Sequence, residues 1–235
     1  MTSTREYINT ESTRVVEQYL ELLDRYQKKL RIEHLTVFMQ VGDFYEGYGI
    51  EYPDGRRVGN VWEVSDDLII KFSKKDTTVY GNKKINVRMA GVPVSTLDKY
   101  LNTAVEDYGW TVVVIEQEKE DNKIERYISA VISPGTNSYS LQETNNLMVI
   151  YLEKVASLIH RGESTLFAGI AYLDSLTGKS GIIQYPHKYD VSDVIIYDEI
   201  LKLITIYNPS EIIIYAEKCD KSESNIIDQF HLNMR

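Results

Sequence analysis

The stretch Val41-Gly42-Asp43-Phe44-Tyr45-Glu46 sets two aromatic rings between two carboxylates, directly behind the apolar run Leu35–Gln40. A strand that runs into Gly-Asp normally turns out into water. Rings at that point either fold back into a core or are offered to something outside, and the residue types alone leave both readings open. Gly42 suits a backbone turn, and Asp43 suits a brace made of local hydrogen bonds. An extended segment sends Phe44 and Glu46 to one side and Tyr45 to the other, so Tyr45 reads as core. Between Lys71 and Arg88 stand six basic residues, Lys71, Lys74, Lys75, Lys83, Lys84 and Arg88, with Asp76 as the only acid. This segment is either a solvated, lysine-rich edge hairpin or a contact for phosphates.

Other chemistry is thinly supported. Gly178-Lys179-Ser180 has the tail of a phosphate loop, but Leu173 stands where the opening glycine belongs. Asp174 closes an apolar run as a metal-binding nuclease carboxylate would, and equally as a turn former before Ser175 and Gly178 would. His34, His160, His187 and His231 are scattered, and with Cys219 as the only cysteine no zinc cluster can be written. No metal site and no catalytic residue is expected.

The elements that must position these groups follow from periodicity. Val16, Tyr19, Leu20, Leu23, Tyr26 and Leu30 predict a helix over 13–31, and Thr36–Val41 a buried strand. Residues 47–59, punctuated by glycine and proline, read as a loop. A short helix around Val61–Leu68 and a strand over 68–72 follow. Ser95-Thr96-Leu97-Asp98 resembles a capping box, ahead of a helix that buries Leu97, Leu101, Ala104, Val105 and Tyr108 and stops at Gly109. Strands are expected over 110–117 and 126–133, and 134–140 is a break. Beyond it, 146–156, 164–174 and 178–186 are strand-like, 191–206 is helical, and Pro209 separates that helix from a strand over 211–217. The pattern is α/β in two domains, 1–136 and 146–235, joined by a linker at 137–145.

Composition bounds the rest. At 235 residues, 43% hydrophobic and 26% charged, the chain is globular in character. A net charge of −9 argues against coating nucleic acid through charge alone, so distribution matters more than total. A single cysteine points to a reducing, intracellular setting. The N-terminus lacks the apolar core of a signal peptide, and no apolar run is long enough for a membrane span.

Taken together, "QVGDFYE" (40–46), "MAGVP" (89–93), "VVVIEQ" (112–117) and "ISPGT" (132–136) resemble the mismatch-recognition domain of the MutS DNA mismatch repair proteins, and "QYLELLDRY" (18–26) resembles that family's opening helix. "GIAYLDSLTGK" with "NPSEIIIYAE" resembles the MutS connector domain, which has an RNase H-like fold. The resemblance implies a mixed-sheet wedge domain followed by the connector. It implies that Phe44 is the wedge driven into DNA and Glu46 its polar companion at the displaced base. It also places Lys71, Lys74, Lys75, Lys83, Lys84 and Arg88 near the wedge, as candidate contacts to the DNA backbone. The implied partners are double-stranded DNA with mismatches or small loops and, through the connector, downstream repair factors. A dimeric parent protein with an ATPase domain, using ATP and magnesium, is implied, and this chain would be a non-enzymatic piece of it, acting inside the cell with DNA. The sequence departs from bacterial members at 47–60, where a broken loop replaces a charged helix. Two other classes stand beside this reading: an RNase H-like nuclease centred on Asp174, and a protein-interaction module.

Overall fold

The computed structural model describes residues 6–10, 14–71, 73–80, 83–120, 123–137, 143–156, 164–186 and 192–219. The chain divides into two compact units, Met1–Pro134 and Gly135–Arg235. The division falls at the Pro134–Gly135 bond, inside the short turn Pro134–Thr136 and ahead of the expected linker at 137–145.

The first unit opens with β1 (Glu6–Tyr7), followed by α1 (Val15–Leu30), β2 (Leu35–Val41), β3 (Phe44–Glu51), β4 (Arg57–Val58) and α2 (Val61–Asp67). Then come β5 (Ser73–Tyr80), β6 (Lys83–Pro93), α3 (Leu97–Asn102), β7 (Thr111–Glu120) and β8 (Lys123–Ile132). The sheet order is β1-β8-β7-β2-β3-β6-β5, with β4 paired to β3. All the pairs are antiparallel except β2 with β7, which run parallel. Alternate residues of the central strands feed two cores. On one face, Tyr19, Leu22, Leu23 and Tyr26 of α1 pack on Val37, Met39, Tyr48, Ile50, Val113 and Ile115. On the other, Phe38, Tyr45, Val92, Val112 and Val114 meet Val64, Leu101, Val105 and Trp110.

The second unit holds β9 (Asn146–Ala156), β10 (Ser164–Asp174), β11 (Ser180–Tyr185), α4 (Asp193–Tyr207) and β12 (Glu211–Glu217). Its four strands run β11-β10-β9-β12, with β12 parallel to β9 and the other pairs antiparallel. Helix α4 covers one face with Ile196, Tyr197, Ile200 and Leu203. Ser192 caps it by accepting from the Val194 amide, and Asn208 closes it in the left-handed conformation. Both units are mixed α/β, as expected. Among the described residues no helix is long and apolar enough to cross a membrane.

Four local expectations are corrected. Residues 47–51 are not loop but the body of β3. Its glycines mark close approach rather than turns, because a Cβ on Gly49 would come within 2.6 Å of the Trp62 ring. Residues 68–71 of the expected strand 68–72 are not a strand, and residue 72 lies outside the described residues. Leu68 ends α2, Ile69 sits at φ +53°, and the Ile70 amide returns to the Ser65 carbonyl at 2.9 Å. The capping box is absent: residues 94–96 form a 3₁₀ turn in which the Thr96 hydroxyl donates to the Pro93 carbonyl at 3.0 Å. The helix behind it ends before Gly109 through a π turn over Thr103–Asp107, but Tyr108, expected on its buried face, is 37% exposed.

Candidate nucleic-acid interface

The β2–β3 connection is as short as a hairpin allows. Val41 pairs with Phe44, leaving Gly42 and Asp43 as a two-residue turn. Gly42 takes φ +62°, which a side chain rarely adopts, and nothing lies within 4 Å of where its Cβ would be. The Asp43 carbonyl accepts from the Val94 amide at 2.9 Å, tying the turn to the end of β6. The turn is therefore held on both flanks, and Phe44 starts β3 at its root.

From Phe44 onward the strand alternates. Phe44, Glu46, Tyr48 and Ile50 share the face that α1 covers, and Tyr45 turns into the opposite core. Phe44 lies beyond the covered part of this face and is 47% exposed. Tyr45 is buried, and burial pushes its hydroxyl up to about 12. Cross-strand pairing places Pro93, Phe44 and Val41 in one row, and Gly91, Glu46 and Met39 in the next row inward on the same face. An exposed ring thus stands at the rim with a carboxylate one row behind it.

Glu46 is less open than a side chain waiting for DNA would be, at 8% exposed. It accepts a hydrogen bond from the Tyr48 hydroxyl. Tyr48 is fully buried, and its ring meets Tyr19 edge-on at 5.4 Å. Burial raises the Tyr48 hydroxyl far above its ordinary value, and the bond to Glu46 raises it further. Gly91 leaves the space for this arrangement, since a Cβ there would lie 3.3 Å from the Glu46 Cγ. Arg126 of β8 supports the same region. It donates to the Gln18 side chain at 3.3 Å and to the Gln40 carbonyl at 3.4 Å, and its charge favours an ionised Tyr48. Sequence reading missed Tyr48 and Arg126. The period-two step from Glu46 to Tyr48 was the available signal for the first, and reading 47–59 as loop erased it. Arg126 is 80 residues away and carries no local signal.

The basic segment becomes the β5–β6 hairpin at the margin of the sheet. Lys74 pairs with Arg88, Val79 with Lys84 and Tyr80 with Lys83, with a bulge between Lys74 and Asp76. The side chains of Lys74, Lys75, Lys83 and Lys84 lie outside the described residues. Lys71 is exposed ahead of β5. Arg88 is engaged within the protein, donating to the Glu51 carboxylate at 3.0 Å and holding that carboxyl below its usual range.

In the second unit, Asp174 is committed to a turn. One carboxylate oxygen accepts from the Asn145 and Leu176 amides at 3.0 and 3.1 Å, and the other accepts from the Thr177 hydroxyl. These bonds, the Thr177 hydroxyl foremost, pull its pKa down to about 2. The Gly178 amide closes the turn on the Asp174 carbonyl at 2.8 Å. Gly178-Lys179-Ser180 lies in that turn and at the head of β11, with no helix behind it to cradle a phosphate. Among the described residues, no three His, Cys, Asp or Glu side chains cluster as metal ligands would.

A family model described as MutS domain I matches residues 13–140. The chain belongs to the MutS family. The matched stretch takes in the β2–β3 turn, Phe44, Glu46, Tyr48 and the basic hairpin. A DNA mismatch repair protein mutS homolog of Acanthamoeba polyphaga mimivirus is 29% identical over 209 residues, covering 83% of this chain and 18% of that protein. DNA mismatch repair protein MutS 1 of Haloarcula marismortui is 30% identical over 204 residues, covering 87% of this chain and 19% of its own length. DNA mismatch repair protein MutS of Chlamydia abortus is 29% identical over 212 residues, 86% of this chain and 21% of that protein. These MutS alignments reach past domain I into the second unit, and the chain spans about a fifth of the length of the curated relatives it matches.

Proposed function

We propose that this chain reads DNA mismatches as the N-terminal part of a MutS repair protein, with Phe44 as the wedge. The observation that carries the reading is the half-exposed Phe44 ring at the root of a tied two-residue turn, within the stretch matched to MutS domain I. A ring pushed between base pairs from the minor groove unstacks a step and kinks the duplex, at about a few kcal/mol per step. A mismatched step is already poorly stacked and bends at lower cost. Stacking on the ring returns roughly 1–3 kcal/mol per base. The sum is unfavourable on paired DNA and favourable at a defect.

Glu46 supplies the polar half. A carboxylate near phosphates opposes binding to intact duplex, yet it accepts a hydrogen bond from the exposed edge of a displaced base. Lys71 and the lysines of the β5–β6 hairpin meet phosphates beside the lesion and set register. The second unit acts as the connector, with an RNase H-like arrangement of strands, and relays the bound state to downstream repair factors. The ATPase, its magnesium and the dimer contacts belong to further parts of a longer protein. Asp174 serves the connector as a turn former and not as a nuclease ligand, because its oxygens are already occupied by Asn145, Leu176 and Thr177.

The test is a titration of labelled homoduplex and G·T heteroduplex with the 235-residue chain and with the full-length protein. The full-length protein prefers the heteroduplex, and Phe44→Ala removes that preference. Retention of the preference in the variant would overturn the wedge.

A further inference from the structure

The reading above asks Glu46 to meet a base, yet the structure shows its carboxylate tucked one row behind the rim and bonded to Tyr48. We infer that Tyr48 is a positioning residue that holds Glu46 inside the protein until a displaced base offers a competing donor. The inference rests on the proposed role of Glu46 and adds a residue and a two-state step to it.

Three observations converge on this. Tyr48 lies two residues from Glu46 on one strand, so both side chains stand on the same face, and the hydroxyl reaches the carboxylate with the backbone extended. The Tyr48 ring is locked: it is fully buried, packed edge-on against Tyr19, and Tyr19 is itself tied to Asn60 at 3.2 Å. A donor that cannot move makes a fixed anchor. Glu46, in contrast, has a long side chain with several rotatable bonds, packed where Gly91 lacks a Cβ, and it stands two positions from the exposed Phe44 on the same face. The partner with the longer, unbranched side chain is the one nearer the rim.

The consequence is a threshold. Paired DNA keeps its base donors engaged in base pairs, and its minor groove adds only the guanine amino group. Such DNA offers Glu46 little in exchange for the Tyr48 hydroxyl, so the carboxylate stays stowed, where it still repels phosphates but less than it would at the rim. A base pushed out by Phe44 exposes pairing-edge N–H groups, and the carboxylate then exchanges one donor for another. No proton is lost and no bond other than hydrogen bonds changes.

Four forms of the full-length protein separate the possibilities: wild type, Tyr48→Phe, Glu46→Ala and the double variant. Each is titrated with labelled homoduplex and G·T heteroduplex at low salt. Tyr48→Phe releases the carboxylate toward the rim and weakens homoduplex binding by about tenfold or more, the scale of one hydrogen bond to a charged group. It leaves heteroduplex binding unchanged or tighter. In the Glu46→Ala background the same change does nothing. General damage to the fold would instead weaken both duplexes, in both backgrounds. Glu46→Ala binding homoduplex no better than wild type would sink the proposed role of Glu46. Glu46→Ala binding better, with Tyr48→Phe matching wild type, would sink only the Tyr48 step. A second measurement needs no variant: in full-length protein labelled at the tyrosine Cζ carbon, the Tyr48 signal moves when saturating heteroduplex is added and stays in place with homoduplex. A signal unmoved by both duplexes would show that the bond never opens, and would overturn the inference.

Discussion

Replacing Phe44 with alanine separates a core residue from a wedge, because the two roles predict opposite ledgers. A buried Phe→Ala change costs about 3–5 kcal/mol through lost burial and the cavity left behind. Phe44 is 47% exposed and sits at the open end of its face, so about half of its transfer energy is already forgone and no enclosed cavity follows. Full burial of a phenylalanine side chain is worth about 1.5–3 kcal/mol, which leaves about 1 kcal/mol for this site. In a unit of this size that lowers the melting temperature by about 4 °C. On the DNA side the same change forfeits the stacking of one base, roughly 1–3 kcal/mol, and this loss falls on the mismatched duplex alone. The expected result is a nearly normal melting curve, an unchanged homoduplex titration and a heteroduplex affinity reduced to the homoduplex level in the full-length protein. Calorimetry of the 235-residue chain supplies the first quantity and paired fluorescence titrations the other two. A fall of about 10 °C or more would put Phe44 in the core and refute the reasoning.

Three further outcomes follow from the same geometry. Glu46→Ala strengthens homoduplex binding and narrows the gap to heteroduplex, and it lowers stability by about 1–3 kcal/mol because the Tyr48 hydroxyl loses its acceptor in the interior; titration and denaturant melts of one preparation test both, and an unchanged affinity gap across several mismatches removes Glu46 from the reading. The 235-residue chain alone binds DNA weakly, with a Kd of about 10⁻⁴–10⁻⁶ M, with little mismatch preference and a steep salt dependence. Lys71→Ala lowers its log–log salt slope by about one, and Arg88→Ala lowers it by less because Arg88 is engaged by Glu51; equal slopes for the two variants would contradict that. Asp174 has a pKa depressed to about 2, so its stabilising contribution is present above about pH 4 and is lost as pH falls toward 2. Asp174→Asn therefore destabilises the chain at neutral pH and flattens the fall in melting temperature between about pH 5 and 2, and parallel curves for variant and wild type would refute the assignment.

The elements legible in the sequence are those whose signal is local and repeated. Helix α1 shows itself by Tyr19, Leu23 and Tyr26, which the structure buries, and β9, β10 and β12 by apolar runs of strand length. Strand β3 was illegible because its glycines mimic turn residues. Gly49 stands against Trp62, thirteen residues on, and only tertiary packing tells a close approach from a turn. Ile69 and Ile70 have strand-forming side chains, but the hydrogen bonds returning to Ser65 override that preference. At the candidate site, the exposure of Phe44 and the burial of Tyr45 follow from strand alternation. The burial of Glu46 does not, because it depends on Gly91 from another strand and on α1 overhead.

The one parallel pairing among the described residues of the first unit bears on the order in which that unit assembles. Hairpin β2–β3 can close as soon as residue 51 exists, since its partners are adjacent in the chain. Strand β2 gains its second neighbour only when Thr111 comes to lie beside Leu35, where the Thr111 amide bonds the His34 carbonyl at 3.0 Å and Trp110 stacks on His34 at 3.7 Å. Joining segments so far apart costs loop entropy before any contact compensates for it, and pairings of this kind form late. The turn that presents Phe44 is thus built early and braced last. On a ribosome, a nascent chain would carry the ring with β6 paired beside it but with β2 open along its other edge until β7 emerged, and a shortened chain ending before residue 111 would keep the recognition sequence yet lack the strand that closes the sheet beside β2.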